Sequence, residues 1–537
     1  MKKLPPVPDI PESDQTDLVK SLLSLLEQFA QRVQLHSEEI AQLKDEINIL
    51  KGEKKRPVFK GSKLDKLTNI EATLVITPKM RPGSSKRKKA LVINEDRIMK
   101  PEGVIPVGSR FKGYRDFVVQ DLIIKTHTSR YRLEHWVTPD NQSLTGTLPP
   151  ALNNQHFAPH LVSYILYQHH QCHTTQPLLL EQLREFGIDI SSGQINQLLI
   201  HGKELFHAEK DAILHAGLKA SSYITVDDSG ARHQGSNGYV TQMGNDFFAW
   251  FQSTGSKSRI NFLELLRAGT TDYVLSDAAL FYMKQQQLPA QPLAQLQLYR
   301  GRTLTSAADW YALLDSLAIT QQRHRCIATE GALMGSVLNH GLCHDLVIVS
   351  DDAGQFNILL HALCWIHTER LIHKMLPLNE THRQEIAGIR EQIWCFYADL
   401  KRYKKNHDKA QQKILKQRFD EIFTQKTSYA TLNQTLKRIH NNKAELLMVL
   451  DRPEIPLHTN GSETDLRDFV KKRKISGGTR SDEGRRCRDS FASLKKTCRK
   501  LGISFWQYLE DRLGIAEVPV DYLPDIIIAR IALATGY

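Results

Sequence analysis

SYITVDDSG (222–230) runs through aromatic and β-branched residues into two adjacent carboxylates, Asp227 and Asp228. DLVIVSDDAGQF (345–356) repeats the pattern and ends in Asp351 and Asp352. Short continuous apolar runs closed by turn residues suit strands buried on both faces. An acid at the carboxyl end of such a strand emerges at the sheet edge, where open α/β sheets bind ligands. Between the two runs, GYVTQM and DFFAWFQSTG read as second and third strands separated by Gly244-Asn245-Asp246, and SRINFLELLRAG reads as a helix. A third acid, Glu463, opens a helix after an Asn-Gly turn. Three carboxylates brought to one point repel one another unless divalent cations occupy the space between. Mg²⁺ prefers such oxygen ligands and keeps positions for water and phosphate. On spacing alone, acidic strand ends that merely cap helices remain the competing reading.

Composition bounds the rest. At 537 residues the chain has room for several domains of roughly 150 residues. Its net charge of +12 is uneven: residues 51–100 hold 15 basic against 5 acidic side chains, and residues 464–500 hold 13 against 5. The remainder is therefore net acidic, and two concentrated basic blocks favour a polyanionic partner, nucleic acid first. The 7 cysteines are scattered without a CxxC pair, which excludes a disulfide scaffold and a cysteine-rich zinc ribbon. MKKLPPVPDI has no apolar h-region, so no signal peptide is expected. No segment approaches the ~20 apolar residues of a spanning helix. A soluble, intracellular protein is expected, with no membrane partner.

Outward from the core, residues 1–16 read as disordered. Within 17–52, Val19, Leu22, Leu26, Phe29, Val33, His36, Ile40, Leu43, Ile47 and Leu50 alternate spacings of three and four. That repeat predicts a coiled coil over 19–50, with a homodimer or higher oligomer as its product. A basic linker (53–103) carries Lys86, Arg87, Lys88 and Lys89, suited to phosphate contact without base reading. Residues 104–150 alternate as a small β module of a few short strands. In 151–215, TTQPLLLEQLREFG and SSGQINQLLIHGKELF resemble a DNA-binding helix-turn-helix, with Ser191 or Ser192 as N-cap of the second helix. HHQCHT beside it (His169, His170, Cys172, His173) reads as helix-edge polarity rather than a metal site, since no second ligand pair stands nearby.

VDDSG (226–230), IVSDDAGQF (348–356), CWIHTERL (364–371), NGSETDLR (460–467), KRKISGG (472–478) and the segment 481–509 occur together and in order. In this the chain resembles the DDE transposases of the insertion-sequence 66 type. The resemblance implies an α/β RNase H-like catalytic core, a mixed sheet with flanking helices, over 216–369 and 456–515, with 516–537 as a tail. The stretch between the third strand and Asp351, about 270–340, looks like a long insertion against that pattern, and 370–455 reads as an all-helical insertion similar to those of several transposases. Carried over, the resemblance makes Asp227, Asp351 and Glu463 the catalytic, metal-binding triad. Asp228 and Asp352 are rivals within their doublets, and Asp277 is a weaker rival that no CxxH follows. Cys364 and His367 form that CxxH, either as a structural pair or in support of the site. Lys471, Lys472, Arg473, Lys474, Arg485, Arg486 and Arg488 would offset the acids' repulsion of DNA. Many relatives carry a cysteine-bearing zinc module before the core; residues 104–150 have no cysteine, so zinc is not expected. The expected activity is cleavage and strand transfer of insertion-sequence ends with two Mg²⁺ ions, Mn²⁺ as substitute. Partners would be double-stranded DNA, at element ends and target, and accessory transposition proteins. The alternatives are a non-catalytic transposase-derived DNA-binding regulator and an RNase H-type nuclease.

Overall fold

The computed structural model describes residues 93–535, except 107, 150, 151, 153, 154 and 342–344, together with scattered positions between 16 and 32. Lys86, Arg87, Lys88 and Lys89 lie outside the described residues, as do nearly all of 1–16 and most of the proposed coiled coil. Of its seam, Val19, Leu22 and Phe29 are described; all three are helical, and Leu22 and Phe29 are exposed. The chain divides into two units near Thr128. In the smaller, the described residues from 93 to 127 form no helix or strand. Everything below belongs to the larger. There the alternating stretch up to 150 yields one hairpin, β1 (His135–Val137) with β2 (Ser143–Thr145), and its side chains are largely exposed. Alternation alone does not make strands where no second layer buries one face.

Four helices follow: α1 (Pro159–His170), α2 (Gln176–Glu185), α3 (Ser192–Ile200) and α4 (Glu204–Ala220). Ser191, not Ser192, caps α3, and it does so reciprocally with Gln194 in a capping box. The chain then enters β3 (Tyr223–His233), β4 (Ser236–Gly244) and β5 (Ala249–Thr254), an antiparallel meander. After α5 (Arg259–Leu266), the 270–340 region folds as β6 (Tyr273–Val274), α6 (Asp277–Gln285), α7 (Ala290–Gln297), β7 (Thr303–Leu304), α8 (Ala307–Ser316) and α9 (Gln322–Asn339). The chain returns through β8 (Val347–Ser350) and β9 (Leu360–Leu363), both parallel to β3, which gives the sheet order β5-β4-β3-β8-β9. The helices α10 (Trp365–His373), α11 (Glu380–Lys405), α12 (Lys409–Phe423), α13 (Ala430–Asn441) and α14 (Lys443–Leu446) come next. The chain closes with α15 (Asn460–Ser476), α16 (Asp482–Lys500), α17 (Phe505–Arg512) and α18 (Leu523–Thr535).

Strand alternation sorts the core. Ile224, Val226, Met243, Trp250 and Ile348 face one layer, with α4, α9 and the closing helices. Val347 and Val349 face the other, with Trp365 and the helices α11–α13. On that second side α15 crosses the meander, packing Leu466 and Phe469 against Val240 and Phe251. The edge strand β5 is closed by a helix rather than a strand. The Ala249, Phe251 and Ser253 backbone N–H groups donate to Thr497 Oγ1 (3.2 Å), Ser493 Oγ (2.9 Å) and Asp489 Oδ2 (2.7 Å) on α16. Four residues of helix rise ~6 Å and two of strand ~6.6 Å, so an i, i+4, i+8 row matches every second strand residue. This occupies donors that would otherwise template another chain. Asp489→Ala leaves the Ser253 N–H and hydroxyl without their buried acceptor. A loss of about 1–3 kcal/mol is expected in urea unfolding, with an unchanged denaturant slope.

Candidate active site

The register of the sheet brings the acids together. The β3–β8 ladder ends at Thr225 opposite Val349; Asp227 lies two residues further along β3, and Asp351 is the first residue past the end of β8. β3 itself does not stop there: it continues to His233 because β4 pairs with it along its whole outer half. Asp227 therefore lies mid-strand, where its neighbour β8 has just turned away.

Alternation separates the members of the first doublet. Asp227 shares its face with Thr225, whose Oγ1 accepts from Ser462 Oγ (2.7 Å) in the first turn of α15, one residue before Glu463. Asp228 faces the opposite layer and accepts from Gln355 Nε2 (3.1 Å). Asp351 accepts from the Ala353 N–H (3.2 Å), while exposed Asp352 pairs with Arg438 of α13. Asp277 begins α6 on the surface and pairs with Arg300 (2.6 Å), away from the other acids.

Burial acts on this cluster. It raises Asp227 to about 7, and Asp351 and Glu463 add to the rise by repulsion. Both other acids are thus within electrostatic reach of Asp227. Glu463 is held by basic side chains: its Oε1 lies 3.2 Å from Arg370 and 3.5 Å from His367 Nε2, and its Oε2 lies 3.6 Å from Arg467. Cys364 caps α10 and accepts its position from β8, its N–H donating to the Ser350 carbonyl (2.9 Å). Burial would raise this thiol, but His367 outweighs it and holds Cys364 below its ordinary value. The imidazole that meets Glu463 thus also acts electrostatically on Cys364. Arg370, three residues on, was not singled out from sequence; its i+3 spacing from His367 was the available signal.

The donor set suits a hard divalent cation, since it consists of carboxylate oxygens on two adjoining strands and a facing helix. Among the described residues, however, no group of three or more His, Cys, Asp or Glu side chains closes to metal-binding distance. Glu463 is turned toward Arg370 and His367 instead. A cavity of about 480 Å³ opens beside Asp351, with Arg370, Lys374 and Arg438 in its wall.

The basic block divides by helix face. At about 100° per residue, Glu463, Arg467, Lys471 and Lys474 fall on one stripe of α15, and the three cations are exposed. Lys472 lies on the other side and is not part of that surface: it is 8% exposed and donates to the His169 carbonyl (2.7 Å). Arg473 is half-buried near Gly230, Arg485 is half-buried beside Asp482, and Arg486 is exposed. Gly477 (φ 71°) ends α15, and Gly478 sits where a Cβ would lie 2.5 Å from the Arg232 carbonyl, which explains the Gly-Gly pair. The histidine cluster has structural partners: His169 with the Thr174 carbonyl (3.0 Å), His170 stacked on Phe491 and His173 with Asp468 (3.2 Å). Helix α3 carries no Lys or Arg.

Residues 332–486, from within α9 to within α16 and including Asp351 and Glu463, match the transposase IS66 family. Over 321 residues, 59% of this chain and all of the relative, the sequence is 44% identical to the uncharacterized protein y4jO of Sinorhizobium fredii (strain NBRC 101917 / NGR234). The chain belongs to the IS66 transposase family. As a transposase it is an enzyme that acts on DNA. Among the described residues no helix is long and apolar enough to cross a membrane.

The strain in the site is measurable on the free transposase. With Asp227 at about 7, the folded protein keeps a proton that the unfolded chain loses near the ordinary carboxylate value of about 4. Stability should therefore fall as pH rises through that window, with the full cost present above 7. Asp227→Asn is expected to be more stable than the wild type at pH 8 by on the order of 2 kcal/mol, with little difference near pH 4. Urea unfolding in the presence of a chelator across that range checks it.

Proposed function

We propose that this transposase cuts and joins DNA ends by metal-assisted phosphoryl transfer, with Asp227, Asp351 and Glu463 as the acids that hold the metal. The observation that supports the reading is that Asp227 on β3 and Asp351, just past the end of β8, leave the same pair of strands, while Ser462, next to Glu463, is bonded to Thr225. A central first strand, an antiparallel meander on one side and two parallel strands on the other also suit an RNase H-like core. Two Mg²⁺ ions bound there, or Mn²⁺ in their place, would stabilise the attacking and leaving oxygens of an in-line displacement.

The chain's own groups do the rest. His367 and Arg370 orient Glu463. Arg467, Lys471 and Lys474 lie on the same stripe as Glu463 and suit a DNA backbone drawn toward the acids. Arg370, Lys374 and Arg438 line the cavity beside Asp351, where a phosphate next to the scissile one fits. Water attacks the phosphodiester at the element end and leaves a 3′ hydroxyl; that hydroxyl attacks a target phosphodiester and displaces its 3′ oxygen. The exposed Leu22 and Phe29 suit a coiled coil that pairs two protomers and so two ends.

Labelled element ends incubated with target plasmid and Mg²⁺ should give cleaved and joined products. Asp227→Asn, Asp351→Asn and Glu463→Gln should each lower both by about a thousandfold or more, while end binding is retained. Cleavage without joining would instead identify a nuclease, and binding without either a regulator. Leu22→Glu together with Phe29→Glu should halve the mass found by light scattering if the helix pairs protomers; an unchanged mass refutes pairing through it.

A further inference from the structure

The second face of α15 borders a separate cavity of about 700 Å³, walled on the other side by α1, α2 and α3 and below by α16. Its ionic lining does not balance. Asp468 is shared by Lys495 (3.0 Å), Lys496 (3.5 Å) and His173 (3.2 Å), and Asp465 by Lys500 (3.0 Å) and Lys496 (3.8 Å). Both acids are thereby committed. Among the described residues, Lys472 and Arg488 have no carboxylate partner. Lys472 donates to a neutral group, the His169 carbonyl (2.7 Å). Asp489, next to Arg488 in sequence, is spent on the Ser253 N–H and hydroxyl.

Arg488 is the decisive group. Its guanidinium lies over the Phe469 ring at 4.8 Å, and that ring is stacked in turn on Phe251 at 5.7 Å, which fixes the guanidinium plane. Its Nε and Nη2 are buried and have no hydrogen-bond partner. Those two atoms form the edge of the fork that grips two oxygens of one phosphate. Burial, with repulsion from Lys495 and Arg488, also holds Lys472 down to about 7, the behaviour of a cation that lacks a counterion.

We propose that this cavity is a nucleotide-phosphate site, in which the Nε–Nη2 edge of Arg488 and the ammonium of Lys472 hold the phosphate. The space far exceeds a lone phosphate and falls in the range of small-molecule clefts. Leu180 and Ile200 offer an apolar wall, and Gln176 and Asn196, whose amides bond to each other (3.3 Å), keep the Gln176 oxygen and the Asn196 amide nitrogen for a base edge. The phosphate can come from a free mononucleotide or from the phosphorylated end of a DNA strand. The site does not depend on the carboxylate reading, since Glu463 and Lys472 occupy opposite sides of α15.

The test uses the full chain at constant ionic strength. Calorimetric titration with dAMP and with deoxyadenosine is run beside binding of single-stranded oligonucleotides that carry or lack a 5′ phosphate. Saturable dAMP binding, or a clear preference for the phosphorylated oligonucleotide, is expected, and either should weaken at least tenfold in Lys472→Met and in Arg488→Gln. Arg488→Lys, which keeps the charge but not the two-pronged edge, should also weaken it and serves if Arg488→Gln does not fold. Saturation by dAMP assigns the free nucleotide as a source; a phosphate preference among oligonucleotides alone assigns the strand end. Absence of any phosphate-dependent binding, or binding equal in wild type, Lys472→Met and Arg488→Lys, overturns the proposal. Retained or lost end cleavage by the carboxylate variants has no bearing on this outcome.

Discussion

The site rests on one mismatch in pairing length. β8 leaves β3 after Val349, but β4 keeps pairing with β3 to His233. The chain is thereby forced to hold Asp227 mid-strand, half-buried, while Asp351 follows the strand that has just ended. A strand that stopped at Asp227 would let its carboxyl relax into water. Here the ladder with β4 fixes the backbone on the far side, and burial sustains the charge conflict recorded in the raised Asp227 carboxyl. Folding supplies the stability and the site consumes part of it.

Much else is arranged to keep that mismatch in place. The hairpin end of β3 is tied to the exit of α15, where Thr479 bridges His233 and Gly478 lets the backbones meet at Arg232. Ser462 ties the entry of the same helix to Thr225. α15 is thus fastened to β3 on both sides of Asp227, and Glu463 follows from the fastening. On the other edge, Glu369 of α10 is fully buried and paired with Arg390 of α11, so the CxxH helix is anchored to the helical insertion. The insertion packs Trp365 among Phe396, Phe419 and Phe423, which sets the turn that carries His367 and Arg370.

The strands were legible because their apolar runs are short, β-branched and bounded, so length and composition both exclude helix. The acids were legible as doublets but not as individuals. A period of two makes adjacent residues face opposite layers, and only the register with β8 and the position of α15 say which layer matters. The length of β3 past Asp227 was hidden, because SGARH lacks the apolar run that marks a buried strand. In the stretch 104–150 the alternation is genuine, but among the described residues only 135–137 and 143–145 pair. Asp277 was separable only in three dimensions, where it lies on the surface with Arg300.

The basic block after Glu463 shows why a charge count is a weak guide to a surface. Its net positive charge is real, but Lys472, Lys495 and Lys496 are buried, and Asp465 and Asp468 sit among them. A run such as Lys471-Lys472-Arg473-Lys474 spans a full turn, so it must place cations on every side of α15. Those on the Glu463 stripe remain in solvent and can act at long range on a polyanion. Those on the opposite side are enclosed, where an unmatched cation is costly unless an anion joins it. One helix thus divides a single basic sequence into an outer surface that can steer DNA and an inner chamber that favours one phosphate. The residue spacing, rather than the charge, makes the division.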